Sequence, residues 1–196
     1  MTKLRAFLRE FAITLIMVGV FILIIQSLIG IPPSEVVTGS MEPTLQIGQR
    51  LIISKVAYVS HEPEKGDIIV FHPTTNPQNG DFIKRIIGLP GESVEIRQGT
   101  VYIHEEDGDV VPLDEPYITE AARRPFDGEV IPEDEYFVMG DNRNNSSDSR
   151  TGWTVPRQNI VGKAWLSIWP PSEWGLAPNH SFEEELTSTK LLFQLP

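Results

Sequence analysis

An uncharged apolar stretch near the amino terminus constrains this chain more than any other feature. It runs from Phe11 to Ile29 without a charged residue, and about 20 apolar residues suffice to cross the hydrocarbon core of a bilayer. The apolar part of a signal peptide is shorter, and no A-x-A-like cleavage site follows before Pro32. An uncleaved anchor is therefore favoured over a cleaved signal peptide. The sequence predicts a transmembrane helix over residues 10–31.

The charges around this stretch predict its orientation. Lys3, Arg5 and Arg9 precede it, and basic flanks stay on the cytoplasmic side, so residues 1–9 should be cytoplasmic and the rest translocated. The chain has 27 acidic against 16 basic residues. This balance argues against a nucleic-acid partner, because binding nucleic acid needs a basic surface. The absence of cysteine excludes disulfides and thiol chemistry.

Beyond the anchor, the sequence has the pattern of many short β-strands. Turn dipeptides such as Pro90-Gly91 and Gln98-Gly99 separate apolar or alternating runs, and the second of these predicts a hairpin. The predicted strands cover residues 50–58, 67–71, 82–87, 93–97, 101–104, 135–139 and 161–169. Strands this close together predict a mainly β fold, an antiparallel sandwich or barrel. No amphipathic helix is indicated.

The composition changes along the region that follows the anchor. Residues 105–132 are crowded with acidic side chains, which predicts a solvated surface insertion and not a pair of catalytic carboxylates. The main β-domain then has two parts, residues 32–104 and 133–175. The tail, residues 176–196, is polar and acidic before a short apolar end. We expect it to be partly disordered and derive no function for it.

A lysine on an apolar strand is the first chemically unusual feature. Side chains alternate along a strand, so Lys84 shares a face with Phe82 and Ile86, on a segment with the pattern of a strand buried on both faces. Burial disfavours the ammonium form and lowers a lysine pKa by up to about 3–5 units. A neutral amine near neutral pH is a usable general base, whereas Arg85 stays protonated.

A serine in a turn and a polar loop complete the pattern. Ser40 lies just beyond the anchor, and residues 140–150 are rich in small donors and acceptors suited to hydrogen-bonding a buried amine. A calcium loop is disfavoured, because Arg143 occupies a ligand position and no glutamate closes the loop. For an arbitrary pair, the plainer interpretation is that Lys84 reaches water and Ser40 caps a turn. The third segment favours a serine nucleophile with a lysine base.

Together these segments resemble bacterial type I signal peptidases, which are membrane-bound Ser/Lys endopeptidases. Four segments match in order: Ser-Met-x-Pro-Thr at 40–44, Gly-Asp-Ile-Ile-Val-Phe at 66–71, Lys-Arg-x-x-Gly-Leu-Pro-Gly at 84–91, and Gly-Asp-Asn-Arg…Ser-x-Asp-Ser-Arg at 140–150. The resemblance covers roughly residues 10–170. It implies that residues 32–104 and 133–175 form the catalytic β-domain and that residues 105–132 are a reduced version of the family's variable second β-domain.

The resemblance implies a role for each matched residue. Ser40 is the nucleophile and Lys84 the general base, acting through an acyl-enzyme. The Ser40 N–H and the Thr38 hydroxyl form the oxyanion hole, although many members carry serine at the Thr38 position. Ser146 hydrogen-bonds the lysine amine and orients it. Four further residues are expected to support the site through ion pairs and not by proton transfer: Asp141, Arg85, Asp148 and Arg150.

The resemblance also implies the substrate and the location. The substrates are signal peptides of exported preproteins, bound as an added strand and cut after small residues at A-x-A-like sites. Shallow apolar pockets would be walled by Val36, Leu45, Phe82 and Ile83. No metal or cofactor is expected. The enzyme would sit in a bacterial cell membrane as a single-pass protein, in contact with the lipid bilayer, with its catalytic domain outside the cytoplasm.

Several alternatives stay open or are disfavoured. Histidine catalysis is disfavoured, because the four histidines (61, 72, 104 and 180) are expected to be ordinary surface or strand-end residues. Self-cleaving Ser/Lys repressors would need a DNA-binding domain where this chain has an anchor. A membrane-tethered, non-enzymatic β-domain is opposed only by the Ser40, Lys84 and Ser146 constellation. Trp165, Trp169 and Trp174 fit either core packing or an aromatic patch at the membrane surface.

Overall fold

The computed structural model describes residues 2–74 and 80–182. In these residues the only α-helix is α1 (Thr2–Leu28). Its window Phe7–Ile24 is long and apolar enough to cross a membrane by length and composition, and none of this window is buried inside the protein. The predicted amino-terminal apolar helix is therefore confirmed. The helix ends at Leu28, before the predicted limit of residue 31, because a β-strand begins at Ile29.

The rest of the described chain is built from short antiparallel strands. In chain order they are β1 (Ile29–Glu35), β2 (Arg50–Ser54), β3 (Ile68–Phe71), β4 (Phe82–Gly88), β5 (Ser93–Arg97), β6 (Thr100–His104), β7 (Val110–Pro112), β8 (Phe126–Asp127), β9 (Glu135–Met139), β10 (Val155–Pro156), β11 (Ile160–Trp169) and β12 (Gly175–Leu176). The larger sheet has the order β1-β2-β11-β3-β4-β9-β10, with β12 paired to β11. A mainly β, antiparallel fold is confirmed.

The smaller sheet has the order β7-β6-β5-β8. Its centre is the predicted hairpin, in which Arg97 pairs with Thr100 across the turn. Gln98 and Gly99 have φ values of 53° and 87°, the left-handed geometry that a two-residue hairpin turn requires. This sheet contains β5 and β6, from residues 32–104, together with β7 and β8, from residues 105–132.

Three apolar clusters hold the sheets together. One lies between the small sheet and β9 and contains Ile96, Ile103, Phe137 and Phe182. Another lies beneath the segment that follows β1 and includes Met41 and Leu45, packed with Leu51 and Ile68. The third packs Phe71 and Ile86 against Tyr136 and Val138. Because β3, β4 and β9 contribute to these clusters on either face, the central strand β4 is buried on both sides.

All seven predicted strands are present, with most bounds within one residue; β2 is shorter than expected and ends at Ser54. The five strands that the sequence did not predict, β1, β7, β8, β10 and β12, lie at sheet edges or off the main path. Three of the five contain proline. Proline weakens the sequence pattern that predicts a strand. An edge strand can nevertheless contain proline, because the outward N–H groups of an edge strand need no hydrogen-bond partner in the sheet.

The tryptophan group lies at the surface. Trp165, Trp169 and Trp174 are 45%, 53% and 68% exposed, and Leu176 beside them is 73% exposed. Of the two interpretations that the sequence left open, the structure therefore favours a surface patch over core packing. The disorder expected of the tail falls largely on residues 183–196, which lie outside the described residues.

Candidate active site

Ser40 lies in a short turn that packs on the apolar core. Gly39–Met41 form one turn of 3-10 helix after the extended residue Thr38, and Ser40 and Met41 are buried in it. The Leu45 N–H donates to the Met41 carbonyl at 2.9 Å, and both of these side chains are within the core. This packing holds the Ser40 backbone in place.

The lysine reaches this serine from the strand β4. Lys84 pairs with Ile69 of β3, and its side chain is buried, with 4% of the residue exposed. Its Nζ lies 2.7 Å from Ser40 Oγ and 2.9 Å from the carbonyl oxygen of Ile83. The fold thus joins two residues that are 44 positions apart in the sequence.

The surroundings of Lys84 favour the neutral amine. Burial lowers its pKa from 10.5 to about 8, although the negative charges of Asp148 and Asp141 oppose this shift. In the neutral form, one N–H donates to the Ile83 carbonyl, and the nitrogen lone pair is left for the Ser40 hydroxyl. The arrangement can take a proton from Ser40.

A second hydroxyl lies beside Ser40. Thr38 Oγ1 is 3.3 Å from Ser40 Oγ, and both side chains line the same cleft. The threonine that stands where serine is common in the resembled family therefore keeps its hydroxyl at this site.

The position of Ser146 differs from its expected contact. The hydrogen bonds of Lys84 Nζ go to Ser40 and Ile83, and no bond joins it to Ser146 in the described chain. The Ser146 hydroxyl is buried and interacts with the Asp148 carboxylate. Ser146 instead packs against Gly140, where an added Cβ would collide with Ser146 Oγ and with the Ser40 carbonyl oxygen.

The four residues expected to support the site form two ion pairs that involve the polar loop. Arg85 binds Asp141 through two bonds of 2.9 and 2.7 Å, and neither side chain is exposed. Arg150 binds Asp148 through two bonds of 2.8 Å. Burial opposes the ionised form of Asp148, but its bonds to Arg150 and to the Gly140 N–H outweigh burial and keep its pKa below the ordinary value.

A third ion pair was not predicted. Arg143 donates to both carboxylate oxygens of Glu115, at 2.7 and 2.6 Å, and to the Gly140 carbonyl at 3.1 Å. This pair ties the polar loop to the acidic insertion. The sequence showed a loop arginine and many acidic residues, but nothing local in it distinguished Glu115 from its neighbours.

A cleft of about 250 Å³ runs past the serine and the lysine. Of the four residues expected to wall substrate pockets, Val36, Phe82 and Ile83 line this cleft, whereas Leu45 does not line it and is completely buried in the core. Seven further lining residues had no role assigned from the sequence: Glu35, Val37, Gly39, Met41, Asp81, Asn145 and Ser147. None of the four histidines lines the cleft.

Substituting Gly140 by alanine should lower the rate of any reaction at this cleft. The new methyl group meets the Ser40 carbonyl, which is backbone and cannot move without shifting Ser40 itself. We expect kcat to fall about 100-fold, because small misplacements of reacting groups have effects of this order. Steady-state kinetics of Gly140→Ala would measure the loss.

The matched control is Gly19→Ala in α1, where an added Cβ meets nothing within 4 Å. Its kcat should stay unchanged. A Gly140→Ala protein with the kcat of the unsubstituted chain would show that Ser40 tolerates displacement.

The known proteins that this chain resembles in sequence are signal peptidases. A family model described as "Signal peptidase, peptidase S26" matches residues 8–169. A signal peptidase I from Leptolyngbya laminosa is 46% identical over 76% of this chain and 73% of its own length. Signal peptidase IB from Staphylococcus aureus is 31% identical over 92% of this chain and 97% of its own length. A solved structure of a signal peptidase I from Enterococcus faecalis V583 is 36% identical, with a TM-score of 0.44 over 53% of this chain and 97% of that one.

Proposed function

The chain belongs to the signal peptidase, peptidase S26 family and is a serine endopeptidase, and from this membership we propose that Ser40 is its nucleophile and Lys84 its general base. We further propose that it removes signal peptides from exported preproteins after small residues, through an acyl-enzyme. The observation that supports this most directly is the 2.7 Å separation of Lys84 Nζ and Ser40 Oγ. The lowered pKa of the lysine, about 8, makes the pair chemically competent.

In the acylation step, Ser40 Oγ attacks the scissile carbonyl carbon while its proton passes to Lys84 Nζ. The carbonyl oxygen becomes an oxyanion, which accepts hydrogen bonds from the Ser40 N–H and the Thr38 hydroxyl. Donors of this kind stabilise the transition state by about 2.7–4 kcal/mol each. The intermediate then collapses, the C–N bond breaks, and Lys84 returns the proton to the leaving amine of the mature protein.

In the deacylation step, the signal peptide is an ester of Ser40. Lys84, neutral again, takes a proton from an incoming water, whose oxygen attacks the ester carbonyl. The second intermediate collapses, and Ser40 Oγ regains a proton from Lys84. The same base therefore serves both halves of the reaction, and the carboxylates of Asp141 and Asp148 stay in their ion pairs throughout.

The cleft supports the proposed preference for small residues. Its apolar wall is formed by Val36, Phe82 and Ile83, close to the side chains of Ser40 and Lys84. Its volume of about 250 Å³ is spread along the whole cleft, so each part of the cleft is small. We propose that an extended substrate lies along this wall by strand addition. Alanine-sized side chains one and three residues before the cut would then fill the shallow pockets.

The membrane location follows from the apolar helix and the aromatic surface. We propose that α1 anchors the chain with its amino terminus in the cytoplasm, because basic residues precede the helix. The exposed Trp165, Trp169 and Trp174 fit contact with the headgroup region, where tryptophan is enriched. This contact would keep the cleft close to the place where a translocated precursor emerges.

The pH dependence of precursor cleavage tests the proposed base. Below a pH of about 8 the amine of Lys84 is protonated and cannot accept the Ser40 proton, so kcat/KM should rise about tenfold per pH unit and level off above that pH. The measurement is cleavage, by the purified full-length chain, of a precursor with alanine one and three residues before the cut, between about pH 6 and 10. Sequencing the product's amino terminus locates the cut. A profile with no inflection in this range, while chemistry limits the rate, would contradict a lysine base.

A further inference from the structure

The peptide unit between Gly39 and Ser40 carries an acceptor and the proposed oxyanion donor together. In a planar trans peptide the C=O and the N–H point in opposite directions, so a group that holds the Gly39 carbonyl also aims the Ser40 N–H. No acceptor in residues 2–74 and 80–182 takes this N–H. The first N–H groups of a helical turn lack partners within the turn, which leaves this donor for a substrate.

Asn142, in the polar loop, binds the carbonyl groups on both sides of this N–H. Its side-chain Nδ2 donates to the Gly39 carbonyl oxygen at 3.0 Å, and its backbone N–H donates to the Ser40 carbonyl oxygen at 3.0 Å. The Glu42 N–H also donates to the Gly39 carbonyl, at 3.2 Å. The turn at Gly39–Met41, here called the nucleophile turn, is therefore held by one residue, Asn142, which lies 103 positions beyond Gly39 in the chain.

The loop does not depend on the Asn142 side chain for its own conformation. Asp141 is held by Arg85, Arg143 by Glu115, and Asp148 by Arg150. The Asn142 amide makes its one side-chain bond to the nucleophile turn. Its contribution therefore goes to the turn and not to the loop that carries it.

We propose that Asn142 is a positioning residue that aims the Ser40 N–H at the oxyanion by holding the Gly39 carbonyl. This inference rests on the proposed function, because it needs Ser40 as the nucleophile. Removing an oxyanion donor outright costs about 10²–10³ in kcat. Loss of the Asn142 amide leaves the Ser40 N–H in place but less firmly oriented, since the Glu42 N–H still donates to the Gly39 carbonyl. The fall in kcat should therefore be smaller than this.

The test is precursor cleavage by the full-length chain carrying Asn142→Ala. We expect kcat to fall about 10–100-fold with KM within about twofold, because the oxyanion forms only in the transition state. The pH midpoint near 8 should stay in place, because no hydrogen bond joins Asn142 to Lys84 in the described chain. Asn142→Asp should lose at least as much activity, because it turns a carboxylate oxygen toward the Gly39 carbonyl.

The matched control is Asn144→Ala, in the same loop but with its side chain bonded to the insertion at Glu120 and Ala121. It should keep kcat within about twofold. The proposal is overturned if Asn142→Ala and Asn142→Asp both keep kcat, or if Asn142→Ala loses activity only through KM or with a moved pH midpoint. If Asn142→Ala unfolds at the assay temperature, Asn142→Asp, which keeps the side-chain volume, decides.

Ser40→Ala separates this inference from the function on which it rests. If Ser40→Ala still cleaves the precursor, the proposed function fails whatever Asn142 does. If Ser40→Ala is inactive while both Asn142 variants cleave normally, only the positioning role fails.

Discussion

Lys84→Met loses precursor cleavage by at least about 10⁴-fold while the protein stays folded. Methionine keeps most of the side-chain length and suits the apolar surroundings of Lys84, but it has no group that accepts the Ser40 proton. Losses of this size are typical when one member of a catalytic unit is removed. Single-turnover cleavage of a precursor measures the loss, and thermal unfolding reports the fold.

Ser40→Ala should be equally inactive, because nucleophile and base act as one unit and their losses do not add. The double variant should therefore be no slower than either single variant. Lys55→Met and Ser172→Ala, at exposed positions outside the cleft, are the matched controls and should cleave normally. Efficient cleavage by Lys84→Met would remove the lysine from the mechanism and leave the 2.7 Å contact as a structural one.

Asp141→Ala lowers the free energy of unfolding by about 3–5 kcal/mol. The substitution leaves the Arg85 guanidinium buried without its counter-ion, and an unpaired buried charge carries a penalty of this order. Both side chains of the pair are completely buried. Urea unfolding of the full chain in detergent, followed by tryptophan fluorescence, measures the change.

Two comparisons show whether the buried charge is the cause. The double variant Arg85→Met with Asp141→Leu removes both charges and should recover most of the stability, because apolar replacements of buried pairs are often nearly neutral. Glu120→Ala breaks an exposed pair with Arg123 and should cost less than about 1 kcal/mol. A stability of Asp141→Ala equal to that of the unsubstituted chain would mean that the bonds Arg85 already makes to other groups, such as the Gly66 carbonyl, suffice to stabilise its charge.

The fold could be predicted where the sequence pattern is local. The apolar run specifies α1, and the periodic apolar runs specify the seven inner strands, because burial of one or both strand faces appears directly in the order of residues. The edge strands could not be predicted in this way. A strand such as β10, with two residues of which one is Pro156, forms only because β9 offers it a partner.

The site could be predicted as a set of residue types but not as a set of contacts. Resemblance to a family assigned Ser40, Lys84 and the polar loop to one site. The structure brings these residues together. The resemblance also assigned Leu45 to the pocket wall, because apolar residues near a nucleophile look alike in sequence. The structure places this side chain in the core beneath the turn, and it gives the Ile83 carbonyl the bond to the lysine amine that was expected of Ser146.

The sequence by itself determined the amino-terminal apolar helix, the inner strands, the acidic character of the insertion and the presence of a hydroxyl and an amine suited to acyl transfer. These features depend on the types and order of neighbouring residues. Only the tertiary structure decided which carbonyl faces Lys84, that Arg143 pairs with Glu115, and that Asn142 holds the turn at Ser40. Each of these contacts joins segments that are distant in sequence or depends on a rotamer set by packing, and no local pattern encodes either.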